Sequence, residues 1–118
     1  MGITYIEGLV RGPTTKEATV RFLVDSGATY SLLPKAVWEA IELVPKRELA
    51  FSLADGTVVR RQVSECYINV PQGEGHTPVI LGEPGDDEPL LGAVTLEILA
   101  LVLNPFSRTL QPMRPLLI

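Results

Sequence analysis

Short apolar runs that alternate with polar positions, repeatedly interrupted by Gly and Pro, dominate this chain and predict strands. Residues 3–10 read as a first strand and Arg11-Gly12-Pro13-Thr14-Thr15 as a turn. Residues 18–24 read as a second, with Val20, Phe22 and Val24 on one face and Thr19, Arg21 and Leu23 on the other. The two make a hairpin that delivers Asp25 to its end. Val37, Trp38 and Ile41 then fall at helical spacing after Pro34, which suits a first helical position. A short amphipathic helix is expected over 34–43, closed by Pro45, with Trp38 as a core anchor. Leu49, Phe51 and Leu53 alternate with Ala50 and Ser52, Asp55-Gly56 is a hairpin signal, and residues 57–63 return on the far side. Taken alone, this is an ordinary surface hairpin.

Cys66, Ile68 and Val70 continue the β pattern to a break at 71–75, and a strand over 76–81 follows with His76 at its end. Residues 83–89 form an acidic loop whose carboxylates lack the ligand spacing of a calcium loop, so a solvated loop is expected. A short helix is expected over 94–99, then a strand over 101–103 closed by Asn104-Pro105. Residues 107–113 make a last strand or an extended tail.

Composition narrows the picture without changing it. The 118 residues include 10 Gly and 10 Pro, 46% apolar and 20% charged positions, which suits one folded, mostly β domain spanning 1–118. The net charge is −4, and basic residues cluster no further than Lys46-Arg47 and Arg60-Arg61, which argues against a nucleic-acid partner. A lone Cys66 excludes an internal disulfide and a cysteine zinc site, and it is expected to pack as a small apolar residue. The N-terminus lacks the basic region and apolar core of a signal peptide, and the longest uncharged apolar stretch, 98–103, is too short to span a bilayer. A soluble cytoplasmic protein without membrane contact is the expectation.

The chemistry concentrates at Phe22-Leu23-Val24-Asp25-Ser26-Gly27-Ala28-Thr29. An apolar strand ends abruptly in a carboxylate, a hydroxyl and a glycine. An Asp near an interior must be hydrogen-bonded or change its pKa. Three residues alone favour an ordinary Asp/Ser/Gly turn over a reactive site. His76 has no second His and no Cys partner for His-based catalysis, and a nucleophilic Ser26 or Ser31 lacks both a His and a nucleophile-elbow sequence.

With its neighbours, that stretch resembles the active-site strand and loop of retropepsin-like aspartic proteases, whose pattern is apolar residues, Asp-Thr/Ser-Gly-Ala, two variable positions and Ser or Thr, here Ser31. Leu53-Ala54-Asp55-Gly56-Thr57 resembles the family's flap. Leu90-Leu91-Gly92 resembles the apolar-apolar-Gly element that passes behind the active site and precedes a short helix. The three come in family order over about a third of the chain, a combination more specific than any one motif. Leu91 to Leu99 is similar to the corresponding stretch of small stand-alone prokaryotic members. Ser26 stands where Thr is commoner, and Ala93 replaces the usual polar residue after the glycine.

The resemblance implies an all-β, single-domain acid-protease barrel with one or two short helices, and an aspartic endopeptidase that needs neither metal nor organic cofactor. It implies Asp25 as the catalytic residue, in a homodimer because each chain carries one Asp-Ser-Gly. Ser26, Gly27, Ala28 and Thr29 would form the active-site loop, Leu53 to Thr57 the substrate-covering flap, and Ser31, Leu90, Leu91 and Gly92 the support. The substrate would be a peptide or protein. The alternative is a retropepsin-like dimer that binds peptides or serves assembly without cutting.

Overall fold

In a computed structural model that describes residues 3–115 and 117, β1 (Tyr5–Arg11) and β2 (Glu17–Val24) form the expected antiparallel hairpin, from Tyr5 opposite Leu23 to Arg11 opposite Glu17. Val20, Phe22 and Val24 are buried, while Thr19 and Arg21 are exposed. Two-faced alternation is what half-buried strands impose. The first strand starts two residues later than expected and ends one later. Ile3 is exposed, whereas Arg11 gains Glu17 at 3.3 Å and lies over the Tyr67 ring at 4.2 Å.

A short β3 (Ser31–Leu33) leads into α1 (Lys35–Ala40). This helix is shorter than the expected 34–43. Pro34 is its cap, and the chain leaves the helix where Glu42 takes φ 60°. Ile41 at the helix end is buried, but Trp38 is only half-buried and donates its indole N–H to the Gly82 carbonyl at 2.9 Å. Trp38 therefore packs against the core from its edge, as expected of an anchor, and also pins the Gly82 loop.

β4 (Arg47–Ser52), β5 (Val58–Val70) and β6 (Gly73–Leu81) follow. The expected break at 71–75 shrinks to the two residues between Val70 and its partner Gly73. Gly73 and Gly75 stay in the strand because Leu99 packs so close that an added Cβ would sit 3.3 and 3.1 Å from it. His76 consequently lies within β6, opposite Tyr67, and not at a strand end. Then come β7 (Leu90–Leu91), α2 (Ala93–Ile98), β8 (Leu101–Asn104) and β9 (Thr109–Pro112). Of the two readings for 107–113, the strand is the one formed, paired with β8 in its own two-stranded sheet.

The larger sheet runs β1-β2-β7-β3-β6-β5-β4, and β1 also pairs with β5 through Leu9–Asn69 to Arg11–Tyr67. Six strands thus close into a ring, and β4 hangs on β5 alone. Closure removes sheet edges and encloses a core in which Val10, Phe22, Leu33, Ile68, Val79 and Leu91 are fully buried. Each such side chain contributes about 1.5–3 kcal/mol. Cys66 is buried as expected, and burial pushes its thiol pKa up to about 12, which leaves it chemically inert. No helix among the described residues is long and apolar enough to cross a membrane.

Candidate active site

Asp25 sits where β2 leaves the ring. The short β7 lies between β2 and β3, parallel to the first (Leu23–Leu90, Val24–Leu91) and antiparallel to the second (Leu32–Leu90). The Asp25 N–H donates to the Leu91 carbonyl at 3.0 Å, so the residue's backbone is still part of the sheet. Beyond it the chain turns. The Gly27 N–H donates to Asp25 Oδ1 at 3.0 Å and the Ala28 N–H to the Asp25 carbonyl at 3.1 Å. Asp25 is half-buried, and Ser26, Gly27 and Thr29 are exposed.

A second loop locks this turn from behind. The Ala28 and Thr29 carbonyls accept the N–H groups of Ala93 and Val94 at 2.8 and 3.0 Å, so α2 begins on the back of the Asp25 loop. The Gly92 N–H donates to Ser31 Oγ at 3.0 Å. Gly92 leaves no room for a side chain: a Cβ there would lie 2.6 Å from the Tyr30 carbonyl carbon and oxygen and 3.0 Å from the Ala28 oxygen. Ser31 Oγ also shares a hydrogen bond with Thr95 Oγ1, which shares another with Thr77 Oγ1 at 2.8 Å. All three hydroxyl residues are buried, so β3, α2 and β6 are tied by satisfied polar groups beneath the turn.

Two depressions flank the Asp25–Gly27 turn. Gly27, Ala28 and Thr29 line a groove of about 300 Å³ together with Phe51, Leu53 and Leu90. Ser26 instead lines a depression of about 410 Å³ with Leu96, Val102 and Met113. Tyr30 packs edge-on against Phe51, centroids 5.8 Å apart, joining the Asp25 loop to the β4–β5 arm.

The hairpin tip is held differently. Leu53 N–H donates to the Thr57 carbonyl and Gly56 N–H to the Leu53 carbonyl, at 2.7 and 2.9 Å. Asp55 Oδ1 accepts the Thr57 N–H at 2.8 Å, and hydrogen bonds from Thr57 hold the Asp55 carboxyl below the usual range.

Of the site residues expected from the chain, the structure brings Asp25 to Thr29 together with Ser31 and Leu90 to Gly92. Leu53 joins Gly27, Ala28 and Thr29 along the groove. Ala54, Asp55, Gly56 and Thr57 are exposed at the hairpin tip and do not line it. His76 lines a separate depression with Arg11 and Lys46. The acidic loop is mostly exposed, as expected, with Asp86 as the exception among its carboxylates. Asp86 accepts two hydrogen bonds from Arg61, Nε to Oδ2 at 2.7 Å and Nη2 to Oδ1 at 3.2 Å. That bidentate contact, ahead of the Glu83 N–H, holds the Asp86 carboxyl below its ordinary value and raises the Arg61 guanidinium.

Arg61, Asp86, Tyr30, Thr77 and Thr95 were not among the residues singled out from the sequence. Thr77 carried one signal, a polar residue in phase with Val79 and Leu81 on the buried face of a strand. The other four fell within stretches noticed for other reasons, and no local signal marked their contacts.

The family model described as "gag-polyprotein putative aspartyl protease" matches residues 14–97. That span holds the Asp25 turn, the β4–β5 hairpin and Leu90 to Gly92. No curated protein matches the chain.

Proposed function

This chain belongs to the gag-polyprotein aspartyl protease family, a retropepsin-like domain, and from that membership we propose that it is an aspartic endopeptidase working as a homodimer. The observation that carries the reading is the Asp25 turn: a half-buried carboxylate at a strand end, its loop locked from behind and a groove beginning at Gly27. Each chain holds one such carboxylate, whereas the reaction needs two. A two-fold axis passing beside Ser26 would supply the second. The apolar surface there supports this, since Val102, 46% exposed, lines the Ser26 depression with Leu96 and Met113 and a second copy would cover it.

Two carboxylates facing each other cannot both ionise readily, so the pair would share one proton. The ionised Asp25 takes a proton from a water held between them. The protonated one donates to the oxygen of the scissile carbonyl as the water oxygen adds to its carbon. Collapse of the resulting tetrahedral centre breaks the C–N bond, and the leaving nitrogen receives a proton from the pair. An extended peptide would lie along the groove under the Leu53–Thr57 tip, bound through its backbone as an added strand. The apolar lining favours apolar residues beside the cut.

The test is incubation of the protein with a diverse peptide mixture from mildly acidic to neutral pH, cuts being read by mass spectrometry. Asp25→Asn runs in parallel, with sedimentation confirming equal oligomers. Cuts made only by the Asp25 form are expected. A well-folded dimer that cuts nothing, or an Asn variant that cuts as well, overturns the reading.

A further inference from the structure

We propose that the Arg61–Asp86 ion pair is a specificity-determining element of the groove beside Asp25, closing it with a charge-neutral wall that admits apolar side chains and rejects charged ones. The proposal rests on the peptidase reading for the identity of its ligand, an extended peptide.

Among the side chains lining the groove, Arg61 and Asp86 are the charged ones. The rest of the wall is apolar or small, with Tyr30, Phe51, Val59, Ile80 and Leu90 as its larger members. Both ends of the pair are about one-fifth exposed, with side-chain values of 21% and 22%. The contact is bidentate, and each partner has further bonds. Arg61 Nη1 donates to the Arg60 carbonyl at 2.9 Å and lies 3.9 Å from the exposed Glu83 carboxylate outside the groove, and Asp86 Oδ2 accepts the Glu83 N–H at 2.9 Å. The two residues come from different elements, Arg61 from β5 below the hairpin and Asp86 from the loop ahead of β7. Their bond therefore sets the distance between two walls of the groove as well as the charge between them.

A charged side chain entering this groove would lose water and meet a wall whose charges already answer one another. An apolar one loses nothing polar and gains contact. Removing one partner changes the rule. The remaining charge sits in a partly desolvated apolar groove and is best satisfied by an opposite charge on the ligand. Arg61→Met leaves a carboxylate that selects Lys or Arg. Asp86→Asn combined with Glu83→Gln, which removes the other carboxylate beside Arg61, leaves a guanidinium that selects Glu or Asp. Two variants that move preference in opposite directions cannot be explained by damage to the fold, which would weaken every peptide alike.

The experiment uses the full chain and a set of short peptides that are identical except for Leu, Lys or Glu at one position, each position being varied in turn. Binding is read by fluorescence anisotropy in the Asp25→Asn background, and cleavage in the native background. The native pair is expected to favour Leu over both charged residues at one position. Arg61→Met should raise Lys relative to Leu there by about tenfold, and Asp86→Asn with Glu83→Gln should raise Glu by a similar factor. The reversed pair, Arg61→Asp with Asp86→Arg, restores neutrality and should restore Leu. It keeps the test open should a single variant fold poorly. An unchanged ranking, a uniform loss across all peptides, or no peptide binding by folded protein overturns the proposal. Ranked binding without any cleavage would instead sink the peptidase reading and leave the wall standing.

Discussion

Two aspartates in this chain build the same local device in different surroundings. Asp25 closes a turn by accepting the N–H of Gly27, and Asp55 closes one by accepting the N–H of Thr57. Around Asp55 there is little more: residues 52–58 are all exposed. Gly56 is needed there for its φ of +88°, and a Cβ on it would meet nothing within 4 Å. Around Asp25, three strands, a helix start and a buried hydroxyl relay converge. Gly92 is needed there because two backbones touch. An Asp turn is a common solution to a local backbone problem and confers no chemistry by itself. What sets Asp25 apart is the second layer behind its turn, which the proposed peptidase role would use to hold the carboxylate in place.

The strongest way to break this comparison is to neutralise both carboxylates in turn. Asp25→Asn should lower cleavage of a fluorogenic peptide by about 10²–10⁴-fold, while Asp55→Asn should stay within about threefold, since its hydrogen bond serves only the turn. Equal losses would erase the distinction. The two glycines come next. Gly92→Ala forces a Cβ into the Tyr30 carbonyl and should cost about 3 kcal/mol in urea unfolding. Gly56→Ala meets no atom and should cost only about 1 kcal/mol for its left-handed backbone.

A smaller effect is expected beneath the Asp25 turn. Thr95→Val removes the centre of the hydroxyl relay and should cost about 1–2 kcal/mol, because Ser31 and Thr77 each keep one other partner. No substitution near Asp55 has an equivalent to remove.

The smallest concerns Asp86, a carboxylate half-buried like Asp25 but paired with a guanidinium. Its folded pKa is held below 3.8, so the carboxylate's stabilising contact is complete above about pH 4. It is lost as pH falls through that lowered value. Asp86→Asn should therefore be less stable than native by about 1 kcal/mol at pH 6, discounted for partial exposure, with the gap closing at pH well below 3.8. Urea midpoints at the two pH values check this.

What could be read from the chain divides along the same line. β2 was legible because Val20, Phe22 and Val24 face the core while Thr19 and Arg21 face water, a contrast that local sequence carries in full. The Asp25 turn and Leu90 to Gly92 were legible because each motif is contiguous. The continuity of β6 was not, since Gly73 and Gly75 look like a break and are in fact fitted to Leu99. The relay of Ser31, Thr77 and Thr95 and the pairing of Arg61 with Asp86 were invisible for a related reason. They depend on which residues strand register sets side by side, and no short window of sequence contains that information.

β5 carries one more consequence. From Gln62 to Val70 it is paired with β6, and from Tyr67 to Asn69 with β1 as well, whereas Val58 to Arg61 are held by β4 alone. One unbroken strand is therefore a cantilever, rooted in the closed ring and paired beyond it only with β4. Amide hydrogen exchange along it should step and not grade. Amides near the root are released by global unfolding, those of the outer ribbon by local opening. The root of the arm lies beside Arg61, so whatever stiffens that residue sets how far the tip can swing without loosening the core.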